Sequence, residues 1–172
     1  MCVVQGDRSQ QRELTNYNSL ELGAGGGLVG LAVAKGCTVS TPVLMTDLAV
    51  MVPLMEHNIA LNGVQAAARA TVLGWGDALP EAVVAARPSV VLAADLAYLE
   101  ACFPLLLRTF GDLFEVNPRA VVYFCQKRRR RADLRFIKTA RKMFDVREVA
   151  DDERRVFERE RMFLLEFRRR DQ

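Results

Sequence analysis

The sequence has few of the residues on which metal sites and catalytic triads depend. Its 172 residues include one histidine, His57, and four cysteines, no two of which form a CxxC pair. Because no second histidine or cysteine lies at ligand spacing from His57, we predict no metal site. A single histidine within a predicted helix, far from any serine elbow, also argues against a Ser-His-Asp triad.

Long apolar runs are missing as well. No stretch reaches the roughly 18 apolar residues that a membrane span needs. Residues 1–16 are polar and lack the apolar region of a secretory signal. Scattered cysteines without pairing motifs indicate reduced thiols. We therefore expect a cytoplasmic protein without a membrane partner, and we expect it to be a monomer.

Charge is unevenly distributed along the chain. Residues 1–125 carry 7 Lys and Arg against 11 Asp and Glu, whereas residues 126–172 carry 17 against 10. The positive charge is densest in the run Lys127–Arg131. A basic region of this kind would suit an acidic or nucleic-acid partner. A solvated arginine-rich helix face explains the same composition, so charge alone does not select a partner.

Apolar runs alternate with helical patterns along most of the chain. The runs predict strands at residues 19–22, 43–46, 71–73, 89–94 and 120–125, each followed by a helix. Such alternation is typical of a parallel sheet covered on both faces. Two further strands are predicted without a strong helix between them, which indicates an antiparallel pair at the edge. The predicted fold is α/β, a doubly wound, mostly parallel seven-stranded sheet with an antiparallel last strand.

The segment ELGAGGGLVG, residues 21–30, has glycines at alternate positions after an acidic residue. Backbone without Cβ atoms can turn sharply and lie against a ligand, and the following helix directs N–H groups toward it. A dinucleotide motif would place its third glycine at position 28, where this chain has Leu28. The pattern therefore predicts a nucleotide-like cofactor, and its spacing favours S-adenosylmethionine over NAD.

Polar and aromatic residues follow three other predicted strands. Asp47 can accept hydrogen bonds from ribose hydroxyls or cap the next helix. Trp75 lies between two glycines and can cover an adenine or simply pack. Asp95 and Tyr98 form a D-x-x-Y motif. Such a motif can line the channel in which a methyl donor meets its acceptor, or it can form an exposed turn. Because parallel strands end at the same edge, these residues are expected to share one crevice.

Together these motifs resemble a known family. ELGAGGGLVGLAVAKG, VLMTD, LGWGD and VVLAADLAYLEACFPLLLRTF are similar to the seven-β-strand protein lysine methyltransferases. The run YFCQKRRRRADLRFIKTARKMFDVREV resembles, more narrowly, fungal lysine methyltransferases of translation elongation factor 1A. The resemblance extends over about residues 19–167. It implies a Rossmann-like fold, S-adenosylmethionine as cofactor and a protein lysine as acceptor, with elongation factor 1A as the expected partner.

The resemblance also implies roles for individual residues. The cofactor would contact Glu21, Gly23, Gly25, Asp47, Trp75 and Ala94, the first three at its methionine portion. The acceptor lysine would be bordered by two catalytic residues, Asp95 and Tyr98.

Two alternatives stay open. Residues 1–18 are expected to form a short, irregular N-terminal segment, and residues 19–172 the methyltransferase domain. The family usually has a longer N-terminal segment that helps to close the cofactor pocket, so one alternative is a catalytically impaired cofactor-binding module. The other is an RNA or small-molecule methyltransferase, which the basic stretch 126–135 favours. That stretch lacks the interleaved aromatic residues of a base-stacking surface, so we expect no nucleic-acid partner.

Overall fold

The structure is a computed structural model that describes residues 12–14, 17–149 and 154–170. It contains nine strands, six α-helices and two short 3-10 turns in this part of the chain. The first elements are β1 Arg12–Leu14, β2 Ser19–Leu22, α1 Leu28–Gly36, β3 Cys37–Val39, β4 Val43–Asp47, α2 Val52–Leu61 and β5 Ala68–Val72. The later elements are α3 Glu81–Ala86, β6 Val90–Ala94, α4 Phe103–Val116, β7 Val121–Lys127, α5 Arg131–Met143, β8 Phe144–Glu148, α6 Arg154–Arg159 and β9 Met162–Arg169.

Seven strands form one sheet in the order β5-β4-β2-β6-β7-β9-β8. The five strands from β5 to β7 are parallel, and β9 is antiparallel to both of its neighbours. The chain moves outward from β2 through β4 to β5, then returns to the other side of β2 with β6. The sheet order therefore reverses between β2 and β6, where ligands bind in open α/β sheets. The predicted fold class is confirmed.

Two apolar cores cover the two faces of this sheet. One packs α4 and α5 against the strands and includes Phe110, Phe124 and Phe136. The other packs α1 and α2 and includes Met45 and Met55. Successive residues of β4 alternate between the two cores, as the two-residue period of a strand requires. Both faces of β4 and of the central strand β6 are thus covered, which explains their nearly continuous apolar sequences.

Two predictions of local structure differ from the structure. Residues 12–14 lie in the segment predicted to be irregular, yet they form β1, which pairs with β3 in a separate two-stranded sheet. Three-residue strands are too short to show a period, and this pairing joins distant parts of the chain. The third strand was predicted at 71–73 and is found at Ala68–Val72. Its alanines have low strand propensity, and pairing with β4 determines where it begins.

The C-terminal part agrees with the predicted antiparallel pair but adds detail. The edge strand is β8, and β9 lies between β8 and β7. The six-residue helix α6 precedes β9. Among the described residues, no helix has both the length and the apolar composition required to cross a bilayer.

Candidate functional site

The carboxyl ends of the central strands meet at one edge of the sheet. Leu22 of β2 pairs with Ala93 of β6, and Ala94 pairs with Cys125 of β7. On the other side, the last residue of β4 is Asp47. The predicted site residues therefore lie at the carboxyl ends of these strands or shortly after them, beside the point where the sheet order reverses.

Residues 23–27, called the glycine turn here, connect β2 to α1. Gly23 and Gly25 have φ angles of 61° and 57°, a region that other L-residues rarely adopt. A Cβ built on Gly23 would lie 2.7 Å from Cδ2 of Leu96. A Cβ on Gly25 would meet no atom within 4 Å. Gly23 is therefore packed into the protein, whereas Gly25 borders open space in which a ligand could contact the backbone.

Glu21 lies beneath the glycine turn rather than beside the open space. Its side chain is buried, and Oε2 accepts a hydrogen bond of 2.8 Å from the N–H of Gly30 in α1. Burial raises the pKa of Glu21 to about 7, and the nearby Asp47 carboxylate adds to the rise, although backbone hydrogen bonds from Gly30 and Val29 oppose it. The carboxylate thus anchors the start of α1. A direct contact with a cofactor stays a prediction.

Asp47 fastens the glycine turn from the side of β4. Its Oδ2 accepts the N–H of Gly25 at 2.7 Å, and its Oδ1 accepts the N–H of Leu48 at 2.7 Å. A carboxylate oxygen has about two acceptor positions, so each oxygen keeps one for a second donor. From α2, Nδ2 of Asn58 donates to the carbonyl of Gly26 at 2.8 Å. Nothing in the sequence pattern had marked Asn58 as a site residue.

Trp75 connects the glycine turn to the D-x-x-Y motif. Its Cζ2 would lie 3.1 Å from a Cβ on Gly23. Its ring also meets the ring of Tyr98 edge to face, with centroids 6.3 Å apart. Trp75 packs against the core beneath, so its position is set by apolar contacts on one side. The structure therefore brings three of the predicted residues into one contiguous wall.

Asp95 follows β6 in an unusual backbone conformation. Its φ angle is 59°, and its N–H donates to the carbonyl of Cys125 at 2.7 Å. An aspartate held in the left-handed region at a strand end is a frequent feature of functional sites. The side chain of Asp95 is half exposed, and Tyr98, three residues later, is 61 % exposed. Both catalytic candidates thus face solvent at the same edge, and Ala94 precedes them as the last residue of β6.

Two residues that sequence reasoning did not select hold the Asp95 carboxylate. Arg129 binds it with two parallel hydrogen bonds, Nη1 to Oδ1 at 2.6 Å and Nη2 to Oδ2 at 2.8 Å. Gln126 donates from Nε2 to Oδ1 at 3.0 Å, and its Oε1 accepts the N–H of Ala97. Gln126 is 2 % exposed. Its place near the carboxyl end of β7 was the one sequence signal available, because neighbouring parallel strands end together.

The loop that carries Arg129 is fixed by a buried carboxylate in α5. Oδ2 of Asp133 accepts the N–H groups of Arg129 at 2.7 Å and Arg130 at 3.0 Å. Burial raises the pKa of Asp133, but these hydrogen bonds and the charge of Arg130 outweigh it and hold the pKa below its usual value. Arg130 in turn donates to the carbonyl of Tyr98 at 2.5 Å. Arg129 and Arg130 are therefore part of the site's architecture.

An apolar groove of about 650 Å³ lies outside this site, between α4 and α5. It is lined by residues that include Phe103, Leu107 and Met143, none of them a predicted site residue. Within the described residues, no cluster of three His, Cys, Asp or Glu side chains could hold a metal ion.

Comparison with known proteins finds one matching family model and several relatives of similar sequence. A family model described as lysine methyltransferase matches residues 3–143, so the similarity begins upstream of residue 19, where the motifs above begin. Protein-lysine N-methyltransferase EFM6 of Saccharomyces cerevisiae is 41 % identical over 144 residues, which are 77 % of this chain and 58 % of EFM6. EEF1A lysine methyltransferase 3 of Mus musculus is 36 % identical over 123 residues, 70 % of this chain and 50 % of that protein. The chain thus spans little more than half the length of these relatives.

Among solved structures, a SAM dependent methyltransferase from Aquifex aeolicus superimposes with a TM-score of 0.64 at 14 % sequence identity. The match includes 92 % of this chain and 84 % of that one. At this identity the similarity concerns the fold alone.

Proposed function

The chain belongs to the lysine methyltransferase family, and on this basis we propose that it transfers a methyl group from S-adenosylmethionine to a lysine of translation elongation factor 1A. The family match extends over most of the chain. Two relatives carry names that support the acceptor: EFM6 is a protein-lysine N-methyltransferase, and a mouse relative is an EEF1A lysine methyltransferase.

The observation that carries the proposal is the contact between the glycine turn, where the cofactor is expected, and the D-x-x-Y motif, where the acceptor lysine is expected. Leu96, directly after Asp95, lies where a Cβ on Gly23 would clash, and the Trp75 ring touches both Gly23 and Tyr98. A cofactor over the glycine turn and an acceptor beside the D-x-x-Y motif would therefore be neighbours. Methyl transfer requires such an arrangement, because it depends mainly on positioning the two reactants.

The glycine turn and Asp47 fit the cofactor by the shape of the turn and by the acceptor positions of the carboxylate. Gly25 offers backbone next to open space, and Asp47 keeps one acceptor position on each oxygen for the two hydroxyls of a ribose. S-adenosylmethionine would supply a methyl group bonded to a positively charged sulfur. Glu21 would act indirectly, because its carboxylate accepts a hydrogen bond from the N–H of Gly30 and so supports the glycine turn.

The D-x-x-Y motif fits an amine acceptor. A lysine amine attacks only when neutral, and its ordinary pKa is about 10.4. Asp95 and Tyr98 are both accessible and can accept hydrogen bonds from an amine that enters from solvent. Their proposed role is to orient the amine, and the proton leaves to water before attack.

The basic run favours a protein over RNA as substrate. Three of its charges are already paired within the chain: Arg129 with Asp95, Arg130 with Asp133 and Lys127 with Glu160. Arg135, four residues after the run, pairs with Glu100. Paired charges contribute less to phosphate binding than a continuous positive surface does. We also propose a monomer that acts in the cytoplasm, which the scattered cysteines and a translation-factor substrate support.

The test is incubation of the purified chain with tritiated S-adenosylmethionine and either purified translation elongation factor 1A or total RNA. We expect label on a lysine of the protein, identified by mass spectrometry, and none on RNA. Calorimetry with S-adenosylmethionine measures cofactor binding independently. Label on RNA alone would favour the alternative methyltransferase, and the absence of both label and binding would reject the proposal.

A further inference from the structure

The charge of Asp95 raises a difficulty for the proposed reaction. A carboxylate beside a lysine favours the ammonium form, because an opposite charge within about 4–6 Å stabilises the charged state. The ammonium nitrogen has no lone pair and cannot attack a methyl group. An isolated Asp95 would therefore bind the acceptor in its unreactive form.

Arg129 removes this difficulty by its position. Each terminal nitrogen of its guanidinium donates to a different oxygen of the carboxylate, and such two-point pairs are among the strong charge-assisted hydrogen bonds. The hydrogen bonds and the charge of Asp95 raise the pKa of Arg129. Arg129 is therefore fully charged at any pH at which an enzyme of this kind is assayed, and the pair has no net charge.

Two other ion pairs lie at this edge, and the neighbouring Arg128 and Arg131 are exposed to solvent. Arg130 pairs with Asp133, and Arg135 of α5 pairs with Glu100, which precedes α4. Tyr98 lies on the turn that follows β6 and is 61 % exposed. From the glycine turn the nearest carboxylates are Asp47 and Glu21, which bind backbone N–H groups. Removing the charge of Arg129 would thus leave one negative charge uncompensated beside the acceptor.

The pairing also determines what Asp95 can still accept. A carboxylate has about four acceptor positions. Among the hydrogen bonds of the described residues, Oδ1 takes one from Gln126 and one from Arg129, and Oδ2 takes one from Arg129. A single position remains, on Oδ2. One N–H of an amine can occupy it without displacing Arg129.

We propose that Arg129 is a positioning residue for methyl transfer: it cancels the charge of Asp95 and directs the one remaining acceptor position of Oδ2 toward a neutral lysine amine. This inference rests on the proposed function. The lysine ammonium first loses a proton to water. The nitrogen lone pair then forms the bond to the methyl carbon, and the carbon–sulfur bond breaks with its electron pair going to sulfur. The methylated ammonium product carries the positive charge that sulfur had.

Three variants test the proposal: Arg129→Gln, Arg129→Lys and the control Arg128→Gln. The control removes the same charge one residue away, from an exposed side chain that is not among the described hydrogen-bond partners of Asp95. Each variant is assayed with tritiated S-adenosylmethionine and elongation factor 1A, and kcat and KM are measured separately from neutral to alkaline pH. Calorimetry with S-adenosylmethionine and a melting curve accompany each assay.

In Arg129→Gln we expect the rise of kcat with pH to move upward by about one pH unit, because kcat reports the pKa of the bound lysine, so that kcat near neutral pH falls about tenfold. The fall should lie in kcat, because the uncompensated carboxylate still binds the ammonium form. Arg129→Lys keeps the charge and should keep the wild-type pH dependence, and Arg128→Gln should match the wild type. Cofactor affinity and melting temperature should be unchanged in all three.

Several results would overturn the inference. If kcat of Arg129→Gln has the wild-type pH dependence, or is higher than that of the wild type because Arg129 merely blocked Asp95, the proposed role is wrong while the proposed function stands. If Arg129→Lys shifts as far as Arg129→Gln, charge is not the cause. A wild-type chain that binds the cofactor but labels no protein would reject the proposed function, and this inference with it.

Discussion

The glycine turn and the basic run lie at the same edge of the sheet but are built differently. At the glycine turn, positive φ angles, backbone hydrogen bonds and a buried carboxylate determine the shape. At the basic run, Lys127–Arg131, exposed ion pairs hold the side chains, and the buried Asp133 fixes the loop beneath them. One part consists mostly of main chain, the other mostly of charged side chains.

This difference suits two ligands of different kinds. A small cofactor gains affinity from a surface that is already formed, because little has to be ordered on binding. A protein substrate brings a lysine on its own surface, and exposed ion pairs worth about 0–1 kcal/mol each can adjust to it. We therefore expect changes at the glycine turn to affect folding and cofactor binding, and changes around Asp95 to affect turnover.

The largest effect should separate the two parts. Asp95→Ala should lower the methylation rate by about a thousandfold, equivalent to about 4 kcal/mol, while calorimetry finds cofactor binding intact. Asp47→Ala should lose cofactor affinity, since it removes the acceptor of the N–H of Gly25 and the proposed acceptor of the ribose hydroxyls. Unchanged turnover in Asp95→Ala would remove that residue from the mechanism.

The next effect concerns the pH dependence of folding. Glu21 has a pKa raised from 4.5 to about 7 by burial. A raised pKa in the folded state means that its contribution to stability is complete below pH 4.5 and is lost as pH rises through about 7. At about 1.4 kcal/mol per unit, this amounts to about 3 kcal/mol.

Glu21→Gln keeps an oxygen acceptor for the N–H of Gly30 and has no charge to lose. Urea unfolding at about pH 5 and pH 8 should therefore show a smaller fall in the free energy of unfolding for the variant than for the wild type. Equal falls in the two proteins would mean that the pKa of Glu21 is not raised in the folded protein.

A matched pair of glycine substitutions should have a smaller effect. Gly23→Ala combines a positive φ with a clash against Leu96 and should destabilise folding by about 2 kcal/mol. Gly25→Ala has a similar φ but open space, so it should destabilise by only about 1 kcal/mol. Its added methyl would nevertheless enter the space assigned to the cofactor and weaken binding. Chemical unfolding and calorimetry measure both quantities, and intact cofactor binding in Gly25→Ala would place the ligand elsewhere.

The smallest effect is expected at the rim of the basic run. Arg135 and Glu100 form an ion pair in which both side chains are at least half exposed. Arg135→Gln should change the free energy of unfolding by less than about 1 kcal/mol, with no change in cofactor affinity. A large loss of stability would mean that the exposed charges, rather than Asp133 alone, hold the loop.

Prediction from sequence succeeded where a local pattern was long or strong. The apolar runs around Leu20 and Val91 and the helical pattern of α4 located the main elements, because burial on both sheet faces demands continuous apolar strands. The glycine turn and the D-x-x-Y motif were placed correctly at strand ends, although their chemical roles stay predictions. The strand at Ala68–Val72 was misplaced because alanine carries little signal of its own.

Residues whose importance depends on distant partners were not found. Gln126 and Arg129 acquire their roles only because β7 lies beside β6, which brings them to Asp95. Asn58 likewise becomes relevant to the site only because α2 packs against the glycine turn, where its side chain donates to the carbonyl of Gly26. In the sequence, Arg129 is one of several adjacent basic residues.

The sequence by itself determined the family, the doubly wound sheet and the strand ends at which a ligand would lie. These follow from hydrophobic period, glycine spacing and short motifs, all of which act over a few neighbouring residues. Only the tertiary structure decided that Glu21 is buried beneath the turn and that Asp95 is neutralised by Arg129. Burial and charge pairing depend on distances between residues far apart in the chain, and folding alone sets those distances.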